Sequence, residues 1–162
     1  MKNITTTILL VLVSLLSYSQ EYYRDTIIER AVFNEVNKHR DSLGLQKVRF
    51  NPDNERAVPF GEKLVLEDLE GGVGPYHCGC QGGIEIIALA VVGNTDTITM
   101  SVDEIAELMV WGWNLSPSHK KGMEDKYMTR GFNSVYIFKS TRKDGRYVAL
   151  SVFQFLRDKS HY

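Results

Sequence analysis

The chain contains little cysteine, little proline and no excess of basic residues. Its 162 residues include two cysteines and four prolines, and 19 lysines and arginines stand against 20 aspartates and glutamates. A formal net charge of −1 leaves no basic surplus to neutralise phosphates, so we expect no nucleic-acid partner. Because the two cysteines are separated by a single residue, the fold has to depend on its apolar core rather than on a disulfide framework.

The chain also lacks an apolar run long enough to cross a membrane. Its N-terminal apolar stretch, residues 8–16, follows Lys2 and precedes small residues. A positive residue, a short apolar segment and small residues in this order are typical of a secretory signal peptide. We predict that residues 1–19 are a signal peptide, that residues 20–162 form the mature domain without a transmembrane segment, and that the protein is exported to the periplasm or the extracellular space.

The two cysteines, Cys78 and Cys80, would face an oxidising compartment after export. A disulfide between cysteines one residue apart closes a small, strained ring, which adds little stability and is easily reduced. Such a disulfide or redox pair is one expectation. Another is thiolate metal ligation together with His77 and His119, although the usual zinc knuckle has two or more residues between its cysteines.

Hydrophobic periodicity predicts an amphipathic helix over residues 22–43. Residues 26–29 (TIIE) fit a capping box near its start, and Gly44 fits a stop. Residues 51–52 (NP) fit a cap followed by a proline in the first turn of a second helix. We expect this second helix to kink or split over residues 59–61 (PFG).

The second half of the chain predicts a sheet covered on both faces. Residues 84–92 form an apolar run broken by Glu85, which predicts a strand buried on both sides or a junction of strand and helix. Residues 132–139 and 146–156 are rich in β-branched and aromatic residues and predict a hairpin with an Asp-Gly turn. Layers of helix, sheet and helix pack such elements economically, so we predict a single α+β domain built as a three-layer α-β-α sandwich.

A sharp corner follows a third predicted helix, which begins with a capping box over residues 101–104. The helix runs into residues 113–119 (WNLSPSH), where Pro117 prevents it from continuing unchanged. Both tryptophans near its end are expected in the core. His119 lies two residues beyond the proline, where the corner can hold it at the mouth of a cleft.

The candidates for chemistry are His77, Glu85 and His119, besides the cysteine pair. His77 lies in a glycine-rich loop over residues 71–83, and such loops commonly carry functional residues. Two histidines and a carboxylate can hold a divalent metal such as zinc, or they can act as an acid/base set. A carboxylate in an apolar run is costly unless it is paired, so we expect Glu85 to meet a histidine or backbone donors. Purely structural, hydrogen-bonded roles stay open for all three.

Several short motifs follow one another in an order shared with a known family. Residues 113–119 match its bacterial Trp-x-x-Ser-Pro-x-His motif position by position, His77 falls at its first cavity histidine, and Glu85 falls at the glutamate of its Gly-Glu-Asn motif. The chain therefore resembles, over residues 27–156, the CAP superfamily of cysteine-rich secretory, antigen-5 and pathogenesis-related proteins (SCP-like domains), most closely its short bacterial secreted members. Further matches in the same order are residues 37–45, 51–57, 131–132 and 154–155.

The resemblance implies a CAP-type α-β-α sandwich whose central cleft is formed by His77, Glu85, Ser116 and His119. Ser116 occupies the position where animal and plant members carry a further acidic cavity residue. Glu85 is flanked by isoleucines where the family has glycine and asparagine. The resemblance thus implies a metal, if one is bound, held through His77 and His119.

We expect an exported, monomeric CAP-domain protein whose histidine-containing cleft binds a ligand or a divalent metal such as zinc. The ligand class is left open between a small molecule, a lipid and a protein. The alternative is a peptidase-like or esterase-like hydrolase, in which a histidine or a metal-bound water acts as the base. Whether the protein is an enzyme is not decided by these residues, because they offer no unambiguous nucleophile.

Overall fold

Two long antiparallel strands near the C-terminus form the centre of the fold in the computed structural model, which describes residues 22–51, 57–72, 74–77 and 83–157. A turn of 3₁₀ helix, Thr141–Lys143, lies between these two strands. The elements in chain order are β1 (Tyr22–Arg24), α1 (Thr26–Ser42), β2 (Arg49–Phe50), α2 (Ala57–Leu69), β3 (Gly83–Val91), α3 (Val102–Leu115), α4 (Pro117–Met123), β4 (Met128–Lys139) and β5 (Tyr147–Arg157).

The strands form one largely antiparallel sheet in the order β1-β4-β5-β3, and the short β2 pairs in parallel with β4. The predicted hairpin of β4 and β5 is confirmed. Asp144 and Gly145 have φ angles of 55° and 72°, in the left-handed region that an Asp-Gly turn readily adopts. Residues 148–155 of β5 are all buried, which confirms that this strand is central and covered on both faces.

Helices cover both faces of the sheet. On one face α1 and α3 pack through residues such as Val32, Met109 and Trp113. On the other face α2 packs through Leu64 and Val65. This double cover explains why β5 is apolar on both of its sides rather than alternating with polar residues. The described elements therefore form a single mixed α/β domain.

The strand predicted over residues 84–92 exists as β3, and both of its faces pack against the core, since Ile86 lies in one hydrophobic cluster and Ile87 in the other. β3 is the edge strand of the described sheet, and only Ile86 and Ile87 within it are buried. An edge strand has a neighbour on one side only, so its apolar residues remain partly accessible.

The first helix begins later than predicted, and its cap is a different residue. The Asp25 carboxylate accepts hydrogen bonds from the backbone N–H groups of Ile27 and Ile28 at 2.9 and 3.0 Å, so Asp25 is the N-cap and α1 starts at Thr26. Glu29 does not complete a capping box, because its carboxylate is bound by Arg24 instead. The predicted stop at Gly44 is confirmed by its φ angle of 68°.

The predicted split of the second helix over residues 59–61 is wrong. α2 is continuous over Ala57–Leu69, and Pro59 is the third residue of this described helix, where a missing N–H leaves no bond unmade within it. The hydroxyls of Ser134 and Tyr136 donate to the carbonyls of Ala57 and Val58, which ties the start of the helix to the sheet.

Trp113 is buried as expected, whereas Trp111 is not a core residue, since it is 59% exposed. Residues two apart on a helix lie on nearly opposite sides, so α3 cannot bury both rings against one sheet. The capping box at Ser101 and Glu104 is confirmed.

The predicted signal peptide, Pro52, Cys78 and Cys80 lie outside the described residues. Among the helices that are described, none combines the length and apolarity needed to cross a bilayer.

Candidate functional site

The corner after α3 places His119 on a short, well-anchored helix. Ser116 links α3 to α4, and Pro117 is the first residue of α4, a position where its fixed φ and missing N–H fit a helix start. Trp113, one turn before the corner, is buried edge-on against Phe153 with ring centroids 6.1 Å apart. His119 is the third residue of α4 and is only partly exposed.

The close packing of α4 on β3 depends on Gly122. A Cβ atom at Gly122 would lie 2.7 Å from Cγ2 of Ile84, too close for any other residue without a shift of the helix or of the Ile84 side chain. Beyond the helix, the buried Arg40 guanidinium donates to the carbonyls of Met123, Asp125 and Met128. The first contact fixes α4 against β3 and the second fixes its end against α1, so His119 is carried by a rigid element.

Tyr76 ties the segment that carries His77 to α2. Its ring packs edge-on against Phe60 at a centroid distance of 6.0 Å, and its hydroxyl donates to Glu67 at 3.0 Å. The Lys63 ammonium lies 5.5 Å from the centre of the same ring, within cation–π range. These contacts fix the residue next to His77.

His77, Glu85 and His119 come together, as the sequence predicts. The Nε2 atoms of the two imidazoles are 3.4 Å apart, and the ring centroids are 5.5 Å apart at an interplanar angle of 63°. The other ring nitrogen of His77, Nδ1, lies 3.5 Å from Oε1 of Glu85. The His77 side chain is 52% exposed and that of Glu85 only 6%, so the cluster has a buried acidic side and an imidazole open to solvent.

Gln154 is a fourth member of the cluster. It lies directly opposite Glu85 in the β3–β5 register, and its Nε2 donates to Oε2 of Glu85 at 3.0 Å. From the sequence, no site role was predicted for Gln154, which was named only as part of the family match at residues 154–155. A signal was present, because it is a polar residue between Phe153 and Phe155 in a mainly apolar strand.

The cluster lies at the open edge of the sheet. Successive side chains of a strand point to opposite faces, so Glu85 shares the face of Ile87, which packs in the core that includes α2. Ile84 points to the other face and contacts Gly122 of α4. Since β3 has no outer neighbour in the described sheet, α4 and the segment that contains His77 can meet around its edge.

The surroundings of His119 favour its neutral form. Burial lowers the pKa of His119 below the usual histidine value, and positive charge on His77 lowers it further. A neutral imidazole has a lone pair with which it can accept a proton or bind a metal ion.

The imidazole pair has the spacing of two metal ligands. Bonds of about 2.0–2.1 Å to a tetrahedral zinc ion place two nitrogens roughly 3.3–3.4 Å apart, and the Nε2 atoms are 3.4 Å apart. Glu85 faces the opposite nitrogen of His77 and would orient a ligand rather than be one. Within the part of the chain that the structure describes, no three His, Cys, Asp or Glu side chains are grouped to hold one metal ion. A metal held by these two imidazoles alone would keep coordination positions open.

The Ser116 hydroxyl has a partner other than the two histidines. Its hydroxyl lies 3.2 Å from that of Ser118 and makes no capping bond to α4. No hydrogen bond among the described residues joins Ser116 to either imidazole. Its predicted place in the cleft thus stays a prediction, as do the roles of Cys78 and Cys80.

Comparisons with known proteins bear on the fold alone. No protein-family model and no curated protein matches the chain. Among solved structures, the chain is similar to an outer surface protein from Borrelia burgdorferi, with a TM-score of 0.51 and 15% identity. The alignment covers 84% of this chain and 98% of that protein. At this identity the likeness indicates a shared fold.

Proposed function

We propose that this chain is an exported CAP-domain binding protein whose cleft holds a divalent metal ion, such as zinc, between His77 and His119. The observation that carries the proposal is the 3.4 Å separation of their two Nε2 atoms. A metal coordinated by two side chains keeps other coordination positions open. Water, or a donor atom of a bound small molecule, lipid or protein, could occupy them.

The fold and the motifs support the family assignment within this proposal. An antiparallel sheet with α1 and α3 on one face and α2 on the other is compatible with the CAP-type three-layer sandwich. The match of residues 113–119 supports the same family. The signal-like residues 1–19 support export, and the Borrelia neighbour is by name an outer surface protein.

The surroundings of each imidazole support metal binding in different ways. Glu85 lies on the Nδ1 side of His77, and a carboxylate there favours a proton on Nδ1 and a free lone pair on Nε2. The lowered pKa of His119 keeps that ring neutral near pH 7, the form that binds a metal. When both rings are neutral, each Nε2 offers a lone pair to the metal.

Zinc titration by calorimetry tests the proposal on the mature, chelator-treated protein. We expect one zinc ion per chain for the wild type and at least a tenfold weaker affinity for His77→Ala and for His119→Ala. His39→Ala is the matched control, because His39 is a partly buried histidine that pairs with Glu124 at 3.2 Å. A double Cys78→Ser/Cys80→Ser variant reveals any thiolate contribution. Identical heats for the wild type and both site variants would remove the metal from the proposal.

A histidine-dependent hydrolase is the second candidate. The feature that favours it is the lowered pKa of His119, because an unprotonated imidazole at neutral pH can act as a general base. Peptidase and esterase substrates, tested with and without chelator, distinguish this candidate from a binding module. Turnover that disappears in His119→Ala supports the hydrolase, and absence of such turnover contradicts it.

A further inference from the structure

Glu85 and Gln154 form a polar pair across the paired strands β3 and β5, among mainly apolar neighbours. The Gln154 amide is buried, as is the Glu85 side chain, and both neighbours of Gln154 along β5 are fully buried phenylalanines. A buried amide and a buried carboxylate are costly unless they hydrogen-bond, which these two do at 3.0 Å. Apolar residues of similar size would pack at least as well here. Packing alone therefore does not account for the pair.

The two oxygens of Glu85 face different groups. Oε2 accepts the hydrogen bond from Gln154, and Oε1 faces Nδ1 of His77 at 3.5 Å. The contact series then continues from Nε2 of His77 to Nε2 of His119. The series leads from the covered strand β5 through the half-exposed His77 to His119.

We infer that Gln154 is a positioning residue for His77 and acts through Glu85. By donating to one oxygen, the amide fixes the plane of the carboxylate so that the other oxygen faces Nδ1 of His77. A carboxylate in that position keeps the imidazole proton on Nδ1 and directs the Nε2 lone pair towards His119. The inference rests on the proposed function for its effect on metal affinity, but its effect on the His77 tautomer does not depend on a metal.

The test compares the tautomer of His77 in the wild type and in Gln154→Leu. Long-range ¹H–¹⁵N spectra of chelator-treated, ¹⁵N-histidine-labelled protein at pH 8 distinguish a proton on Nδ1 from one on Nε2. We expect the Nδ1–H form in the wild type and a marked shift towards Nε2–H in Gln154→Leu. Zinc affinity should fall by about 10- to 100-fold in the same variant, the range typical for residues that orient a ligand.

Ser151→Ala is the matched control for a lost buried hydrogen bond in β5. The Ser151 hydroxyl donates to Asn133 at 2.7 Å, and both residues are buried. Ser151→Ala should lower the stability while leaving the His77 tautomer and the zinc affinity unchanged. If it shifts the tautomer as far as Gln154→Leu does, the specific role of Gln154 is wrong.

The outcomes separate this inference from the proposed function. An unchanged tautomer in Gln154→Leu overturns the positioning role even if zinc binds normally. A shifted tautomer in a protein that binds no zinc removes the metal proposal and supports the positioning role. If Gln154→Leu does not fold, Gln154→Met serves as the second variant. A wild-type His77 that carries its proton on Nε2 overturns the inference without any variant.

Discussion

Two carboxylates of this domain, Glu29 and Glu85, are buried almost equally but have very different partners. Their side chains are 7% and 6% exposed. Glu29 receives two hydrogen bonds from Arg24, at 2.5 and 2.9 Å, and one from the backbone N–H of Val135 at 3.1 Å. Its charge is compensated by a guanidinium that stays protonated at any relevant pH. Glu29 therefore links β1, α1 and β4 as a permanent structural contact.

Glu85 contacts Gln154, which carries no titratable group, and His77, which can change its protonation or bind a ligand. Gln154 donates to one of its oxygens from within the sheet, while the other oxygen faces the half-exposed imidazole of His77. The burial of an acidic side chain thus does not reveal its role. What separates a structural carboxylate from a candidate functional one here is whether its partner can change protonation or bind a ligand.

The largest effect should follow from the substitution Glu29→Gln. It removes the charge opposite Arg24, and loss of one member of such a partly buried pair should lower the free energy of unfolding by about 2–3 kcal/mol. Urea denaturation measures this change. The control is Glu35→Gln on the same helix, which loses an exposed pair with Lys38 and should change stability by about 0.5 kcal/mol or less. Zinc affinity should be unchanged in refolded Glu29→Gln, and a large drop would contradict the separation of the two carboxylates.

The same substitution at Glu85 should have the opposite effects, with a small change in stability and a large loss of zinc affinity. A glutamine side chain can still accept the hydrogen bond from Gln154, so we expect stability to change by about 1 kcal/mol or less. A neutral amide no longer favours a proton on Nδ1 of His77, and zinc affinity should fall by about 10- to 100-fold. Calorimetry and urea denaturation on one preparation compare the two quantities. Unchanged affinity with a large loss of stability would make Glu85 a structural residue like Glu29.

Local sequence signals predicted the parts of the fold that depend on short-range chemistry. The β4–β5 hairpin, the capping box at Ser101 and the stop at Gly44 each follow from a few consecutive residues. The convergence of His77 with His119 was expected from the family resemblance and from the corner at Pro117. Patterns alone do not bring together residues 42 positions apart.

The contacts that sequence reasoning missed depend on register between distant strands. Gln154 meets Glu85 across 69 residues of sequence, and one chain alone does not reveal which strands pair or in what register. The role of Glu29 was misassigned for a related reason, because its carboxylate binds Arg24 and also accepts from the backbone N–H of Val135, 106 residues away. Polar residues that interrupt apolar strands were the available signal in β3 and β5.

The smallest expected effect is a pH dependence that distinguishes the imidazole pair from the permanent Glu29 contact. The fold lowers the pKa of His119, whereas the unfolded chain retains the ordinary value of about 6.5 and so binds the proton more readily. The free energy of unfolding should therefore fall as the pH falls through about 6.5, and this contribution should level off below the folded pKa of His119.

Urea denaturation in chelator at pH 7.5 and pH 5.5 measures this dependence in the wild type and in His119→Gln. The wild type should lose more stability on acidification than the variant, because the variant has no imidazole to protonate at this position. Titrating groups that do not interact with His119 contribute equally to both proteins and cancel in the difference. Zinc affinity of the wild type should weaken over the same interval, since protons and the metal compete for the same lone pair. Equal losses of stability in the two proteins would mean that His119 is not shielded by the fold, and the argument that its neutral form is ready to bind a metal would fail.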